Sequence, residues 1–118
     1  MKFKTPKQEA EFYSLEICPY LFWKLSYLDN RSKALYGVEL EITSIHRSDG
    51  SSHDHEPYRA SDLSVKDLTD AQIADLKKHH DKYIKRFGTF DSFFRHDVGR
   101  GDHIHSQRPK MRTLCLVG

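Results

Sequence analysis

A chain of 118 residues is the length of one domain. Hydrophobic residues at 37% and charged residues at 31% allow one packed core, and no apolar run approaches the ~20 residues that a membrane helix needs. Nineteen basic and 17 acidic residues leave a net charge of +2 with the signs mixed along the chain, which argues against electrostatic capture of nucleic acid.

Thr5-Pro6-Lys7-Gln8 predicts a helix start: the Thr hydroxyl caps, Pro fits the first turn, and Gln8 stands where a capping box closes. That helix carries Phe12 and Leu15 and is interrupted near Pro19, which has no amide proton for the ladder. A second helical pattern runs through Leu21, Phe22, Leu25 and Leu28 and is expected to end at Asp29-Asn30. Val38-Glu39-Leu40-Glu41-Ile42-Thr43 alternates apolar and polar residues, the period of a strand with one buried face. His46 to Arg59 has no periodicity and reads as a loop, and Ala60 to Val65 as a short strand. Asp70 is placed to cap a helix from about Ala71 to Phe87, with Ile73, Leu76, His80, Tyr83, Ile84 and Phe87 along one side and Gly88 at its end. Three short strands are expected after it: Phe93 to Val98, His103 to Gln107 and Thr113 to Val117. Gly99-Arg100-Gly101 makes a tight turn between the first two. This order predicts a single α+β domain over 1–118, with helices packed on a mostly antiparallel sheet.

Chemistry gathers where the histidines do. Eight are present, six of them between His46 and His55 or between His96 and His105. The first polar cluster is Ser51-Ser52-His53-Asp54-His55-Glu56, followed by Asp62. The second is His96-Asp97 and then Asp102-His103-Ile104-His105. Neutral imidazoles and carboxylates are ligands of Zn²⁺, and a catalytic zinc keeps three of them with one position open. On a strand His103 and His105 point to one face, and Asp102 and Ile104 to the other. Spacing alone decides nothing: a His with an acid seven residues later occurs once, at His55 and Asp62, and chance gives roughly one such pair at this composition. Cys18 and Cys115 fit no Cys-x-x-Cys pattern, so no disulfide framework is expected.

In context these residues form a pattern. Ser44-Ile45-His46-Arg47-Ser48, then His55 to Asp62 with Ala60 between, then Asp102-His103-Ile104-His105, resemble in order the motifs of the zinc D-Ala-D-Ala carboxypeptidase family. That family includes phage L-alanyl-D-glutamate endolysins and shares its fold with the Hedgehog signalling domain. The resemblance covers about Val38 to Gln107. It implies that His55, Asp62 and His105 ligate zinc, that Asp102 is the general base, and that Arg47 binds a substrate carboxylate through its planar fork. His96, in a segment resembling one ahead of the final motif in small phage members, is a candidate for the wall of the site; His103 is a candidate donor to a ligand or the transition state, and equally a solvent-facing strand residue. In this sequence Tyr58 stands where the family has Gly, His53 where it has Ser, Asp102 where Glu is usual, Ile104 where Trp is common, and His46 where an aromatic precedes the Arg.

The implied activity is zinc-dependent hydrolysis of a peptidoglycan stem peptide, with water acidified from a pKa of 15.7 to about 7 and its proton taken by Asp102. A different class of function is open as well: a zinc-stabilised binding or structural module of the same fold without turnover. The opening residues Met1-Lys2-Phe3-Lys4 carry charge and no apolar stretch. Synthesis in a bacterial cytoplasm is expected, with access to the wall after release or as part of a virion. Plainer roles compete at each position. Asp102 suits a turn for its own sake, and a loop-end Arg47 is as often a solvated charge. His79 and His80 fall mid-helix among lysines, a solvated face with His80 grazing the core. Phe12, Phe22, Trp23, Phe87, Phe90, Phe93 and Phe94 are expected in the core, and Arg108 to Arg112 in a solvated connection.

Overall fold

Thr5 starts the first helix as its sequence predicts. Its hydroxyl accepts from the Lys7 amide at 3.3 Å, and Gln8 Oε1 accepts from the Thr5 amide at 2.7 Å, which closes the capping box. In a computed structural model, which describes residues 1–46, 58–86, 91–96 and 102–107, this helix α1 covers Pro6–Phe12. It follows a short strand, β1 (Lys2–Phe3), that the sequence pattern does not reveal. Leu15 lies beyond the helix and is fully exposed, against the expectation that it shares the apolar side of Phe12.

The second helix, α2, begins at Pro19 and runs to Tyr36, past the predicted stop at Asp29-Asn30. Asp29 does not cap a helix end. It is buried, accepts from the Leu40 amide at 2.8 Å and pairs with Lys33 at 3.0 Å. Its carboxylate thus ties the helix to the following segment, and the turn-forming tendency is overridden by a tertiary bond. Gly37 ends the helix at φ 67°, the left-handed conformation that glycine adopts without a Cβ clash.

The remaining elements are β2 (Glu41–His46), β3 (Ala60–Ser64), α3 (Asp70–His79), β4 (Ser92–His96) and β5 (His103–Gln107). Thr69, one residue earlier than expected, caps α3 through the Gln72 amide. The α-helix stops at His79 and continues as one wide π turn, His80–Ile84, closed by Lys85 N–H to the His80 carbonyl at 2.8 Å. The extra residue in that turn changes the angular step. His80 and Ile84 are both buried while Tyr83, predicted beside them, is 66% exposed. Phe87, Gly88, Phe90, Gly99 to Gly101 and the predicted strand Thr113 to Val117 lie outside the described residues, as does Cys115.

The strands form a sheet in the order β1-β2-β3-β5-β4, antiparallel throughout except for the parallel pair β1 and β2. This is the α+β class with a mostly antiparallel sheet that the element order predicts. One face carries Ile42, Ile45, Leu63, Phe93 and Ile104 into a common core with Leu21, Leu25 and Leu28 of α2 and Ile73 and Leu76 of α3. Each such side chain contributes about 1.5–3 kcal/mol on burial. No helix among the described residues is long and apolar enough to cross a membrane.

The core also holds charge. Lys24, Asp91 and His80 are wholly buried and Tyr20 nearly so. Lys24 Nζ donates to Asp91 Oδ1 and to the Ser92 carbonyl, both at 2.9 Å. Tyr20 Oη donates to Asp91 Oδ2 at 2.5 Å, and the Arg86 amide donates to the same oxygen at 3.0 Å. His80 Nε2 faces Asp91 Oδ1 at 3.5 Å without a well-formed hydrogen bond. Burial pushes the Asp91 carboxyl up. The facing His80 ring, the Lys24 ammonium, the Tyr20 hydroxyl and the Arg86 amide outweigh it and hold Asp91 well below the usual carboxylate range. The network joins α2, the π turn and the start of β4.

Candidate functional site

The outward face of the sheet is polar, and a β-bulge decides which residues stand on it. Ile42 pairs with Leu63, but Ser44 pairs with Asp62, so Thr43 is an extra residue in β2. Without it, Ile42, Ser44 and His46 would share one face, because side chains alternate with period two. With it, Ile42 and Ile45 both point into the core, and Ser44 and His46 turn outward beside Asp62. The register then continues across the sheet from Asp62 to His105 to Phe94, and from Ser64 to His103 to His96.

Asp62 is the centre of this row. Its Oδ1 lies 3.0 Å from His105 Nδ1 and 3.7 Å from His103 Nε2, and its Oδ2 lies 3.1 Å from His46 Nε2. Ser44 Oγ is 2.8 Å from the same His46 nitrogen. Thr43 Oγ1 donates to the Asp62 backbone carbonyl at 3.3 Å. Partial burial raises the Asp62 carboxyl, but the hydrogen bonds from His105 and His46 dominate and hold it well below the usual carboxylate range. The ionised form of Asp62 is thereby favoured. Phe94 packs against the His105 ring, with centroids 5.5 Å apart, and so limits its rotation. The sequence pattern assigns Phe94 to the core, whereas its strand position turns it to the outward face.

The predicted site residues divide into three groups. Asp62, His105 and His103 are brought together, from strands 43 residues apart in sequence in the case of the first two. Arg47 and His55 lie outside the described residues, as does His53. Asp102 stands apart from the Asp62–His105 pair. His96 occupies the β4 position opposite His103. The Asp102 carboxylate is taken by Arg95, whose Nε donates to its two oxygens at 2.9 and 2.8 Å, with a further bond from Nη2. Arg95 also reaches Asp70 at the start of α3, at 2.6 Å. This follows from the alternation: Asp102 precedes β5 with the parity of buried Ile104, opposite to His103 and His105. The Arg95 hydrogen bonds hold the Asp102 carboxyl below its ordinary range.

The donor chemistry of the Asp62 row, one carboxylate with imidazoles around it, suits a borderline cation such as Zn²⁺. Two ligands of a tetrahedral zinc stand roughly 3.3 Å apart, given metal–ligand distances near 2.0–2.1 Å, and the 3.0 Å between Asp62 and His105 is close to that. Among the described residues no set of three His, Cys, Asp or Glu is arranged to hold a metal. The pair could supply two ligands; the third that the resemblance implies, His55, lies outside the described residues.

Tyr58 is anchored by its backbone. The Cys18 amide donates to its carbonyl at 2.9 Å, and its own amide donates to the Glu16 carbonyl at 2.8 Å. This bridge between the Ile17 segment and Tyr58 fixes the point at which the chain re-enters the sheet before Ala60. His46, Ser44 and Arg95 were not singled out by spacing as partners of the site. The sequence pattern ends the strand at Thr43 and reads His46 as loop, whereas β2 runs on to His46 and its bulge turns both Ser44 and His46 outward. Comparison with protein-family models, with curated proteins and with solved structures gives no match.

Proposed function

We propose that the outward face of the sheet is the active face of a zinc-dependent peptidase, with Asp62, His105 and His55 as metal ligands. Its substrate would be the stem peptide of bacterial peptidoglycan. The observation that carries this reading is the approach of the Asp62 carboxylate and the His105 imidazole to 3.0 Å across neighbouring strands. The three-motif resemblance pairs these same two residues for a reason independent of the fold. Zinc bound there supplies Lewis-acid polarisation of a peptide carbonyl and an acidified water.

The chain's own residues supply the rest. Asp62 is held as an anion by its histidine neighbours, which is the state a cation requires. Phe94 fixes the plane of His105. His103, whose ring is mostly covered and faces the same carboxylate, is placed to donate to a substrate oxygen. Asp102 is the proposed base, kept ionised by Arg95 and therefore able to accept a proton. To serve it would have to leave Arg95 and be carried from the Ile104 side of the sheet to the His105 side. Arg47 would then hold the substrate carboxylate.

One observation favours the second reading, a zinc-stabilised module without turnover: Asp102 is engaged by Arg95 rather than directed at Asp62 and His105. Digestion of purified peptidoglycan separates the two. Release of stem-peptide fragments by zinc-loaded protein, abolished by chelator and restored by zinc, supports the peptidase. Zinc binding with no fragments at any enzyme concentration supports the module.

A further inference from the structure

We infer that His46 is a positioning residue for Asp62: it holds one carboxylate oxygen so that the other is presented to the metal side of the site. The inference rests on the metal-site reading above and extends it to a residue that the motif assigns no role.

The geometry is specific. A carboxylate only accepts, so the 3.1 Å contact between His46 Nε2 and Asp62 Oδ2 requires the proton on Nε2. Ser44 Oγ lies 2.8 Å from the same nitrogen, so the Nε2 proton is shared between the two oxygens. Oδ2 is thereby occupied, while Oδ1 faces His105 and His103. The arrangement exists only because Thr43 is inserted into β2. A regular strand with Ile42 inward would put His46 inward as well. Bulges commonly re-aim a side chain at a functional position, and here the re-aimed chain meets the candidate ligand. Partners that orient a ligand typically change metal affinity by 10- to 100-fold. His46 is also largely exposed, so its removal leaves no buried hole.

The test uses the full chain and zinc as the probe. Metal-free wild type, His46→Ala and His46→Gln are titrated with zinc against a chromophoric chelator, and the thermal midpoint of each metal-free protein is recorded. Positioning predicts that His46→Ala binds the same number of zinc ions with affinity lower by roughly 10- to 100-fold. The metal-free midpoint falls by no more than a few degrees, the worth of one partly exposed hydrogen bond. His46→Gln, whose amide N–H can replace the donor, recovers at least half of the loss on a logarithmic scale. The cobalt-loaded proteins give a second readout: the visible absorption of His46→Ala should shift relative to wild type and return in His46→Gln. Equal zinc affinity in wild type and His46→Ala overturns the inference while leaving the metal site standing. Loss of a zinc equivalent in His46→Ala overturns it in another way, by making His46 itself a ligand. Wild type that takes up no zinc removes both the site and the inference.

Discussion

Replacing Lys24 by Met tests whether the buried charge cluster holds the fold together. Met fills a similar volume, so the change removes an ammonium without opening a large cavity. Asp91 then stays wholly buried with a full negative charge and loses its 2.9 Å partner. Removing one member of a buried pair costs about 3–5 kcal/mol. The Tyr20 hydroxyl and the Arg86 amide still donate to Asp91, which places the expected cost toward the lower end. For 118 residues, the usual unfolding entropy per residue makes 1 kcal/mol worth about 4 °C. A loss of about 3 kcal/mol therefore lowers the thermal midpoint by about 12 °C. Urea unfolding should show a lower midpoint with an unchanged slope. The double change Lys24→Met with Asp91→Asn should regain part of the loss, since the uncompensated charge has gone. A drop below about 1 kcal/mol in the single variant, or a double variant worse than the sum of the singles, would refute the argument.

Further outcomes follow from the same geometry. Asp91 titrates below its unfolded value, so its stabilisation is complete above a pH of about 4 and is lost as the pH falls toward the depressed folded value. Asp91→Asn should accordingly flatten the acid limb of the stability curve, which chemical denaturation between pH 5 and 2 would reveal. Asp102→Ala should retain zinc and the fold but lose peptidoglycan hydrolysis by roughly 10²–10⁴-fold, the usual share of a general base; metal content and fragment release, measured together, check it. Arg95→Gln removes the groups that hold the Asp102 carboxyl low, so the acid limb of the pH–rate profile should move to higher pH. Ser61 and Ser106 face each other across β3 and β5, both wholly buried, with hydroxyls that have no hydrogen-bond partner among the described residues. Ser106→Ala should be neutral or stabilising by up to about 2 kcal/mol in thermal unfolding, because an unsatisfied buried hydroxyl costs that order.

Local signals made much of the fold legible. Thr5-x-x-Gln8 set the start of α1, and the short strands expected from Ala60 and from His103 match β3 and β5 within a residue. Long-range bonds hid the rest. Asp29 resembles a helix stop, but its carboxylate is drawn to the Leu40 amide, a partner no local window contains. The π turn after His79 depends on burying both His80 and Ile84, which no helical period registers. Asp91, a polar residue in a turn-like stretch, gave no hint that it meets Lys24 from a helix 67 residues earlier. At the site, the His103–His105 alternation and the pairing of Asp62 with His105 were open to a reading by motif. The place of His46 was not, because it hangs on the Thr43 bulge, and a bulge leaves the strand pattern looking regular. The parity of Asp102 was visible, yet its partner Arg95 lies on another strand.

The central claim, a cation held by Asp62 and His105, is tested most directly by metal analysis. Zinc content should be measured on wild type, Asp62→Ala and His105→Ala after equilibration with excess zinc and removal of the unbound ion. The account predicts a single zinc ion per wild-type chain and none in either variant, with zinc raising the thermal midpoint of the wild type alone. Wild type without zinc, or variants that keep it in full, would contradict the account.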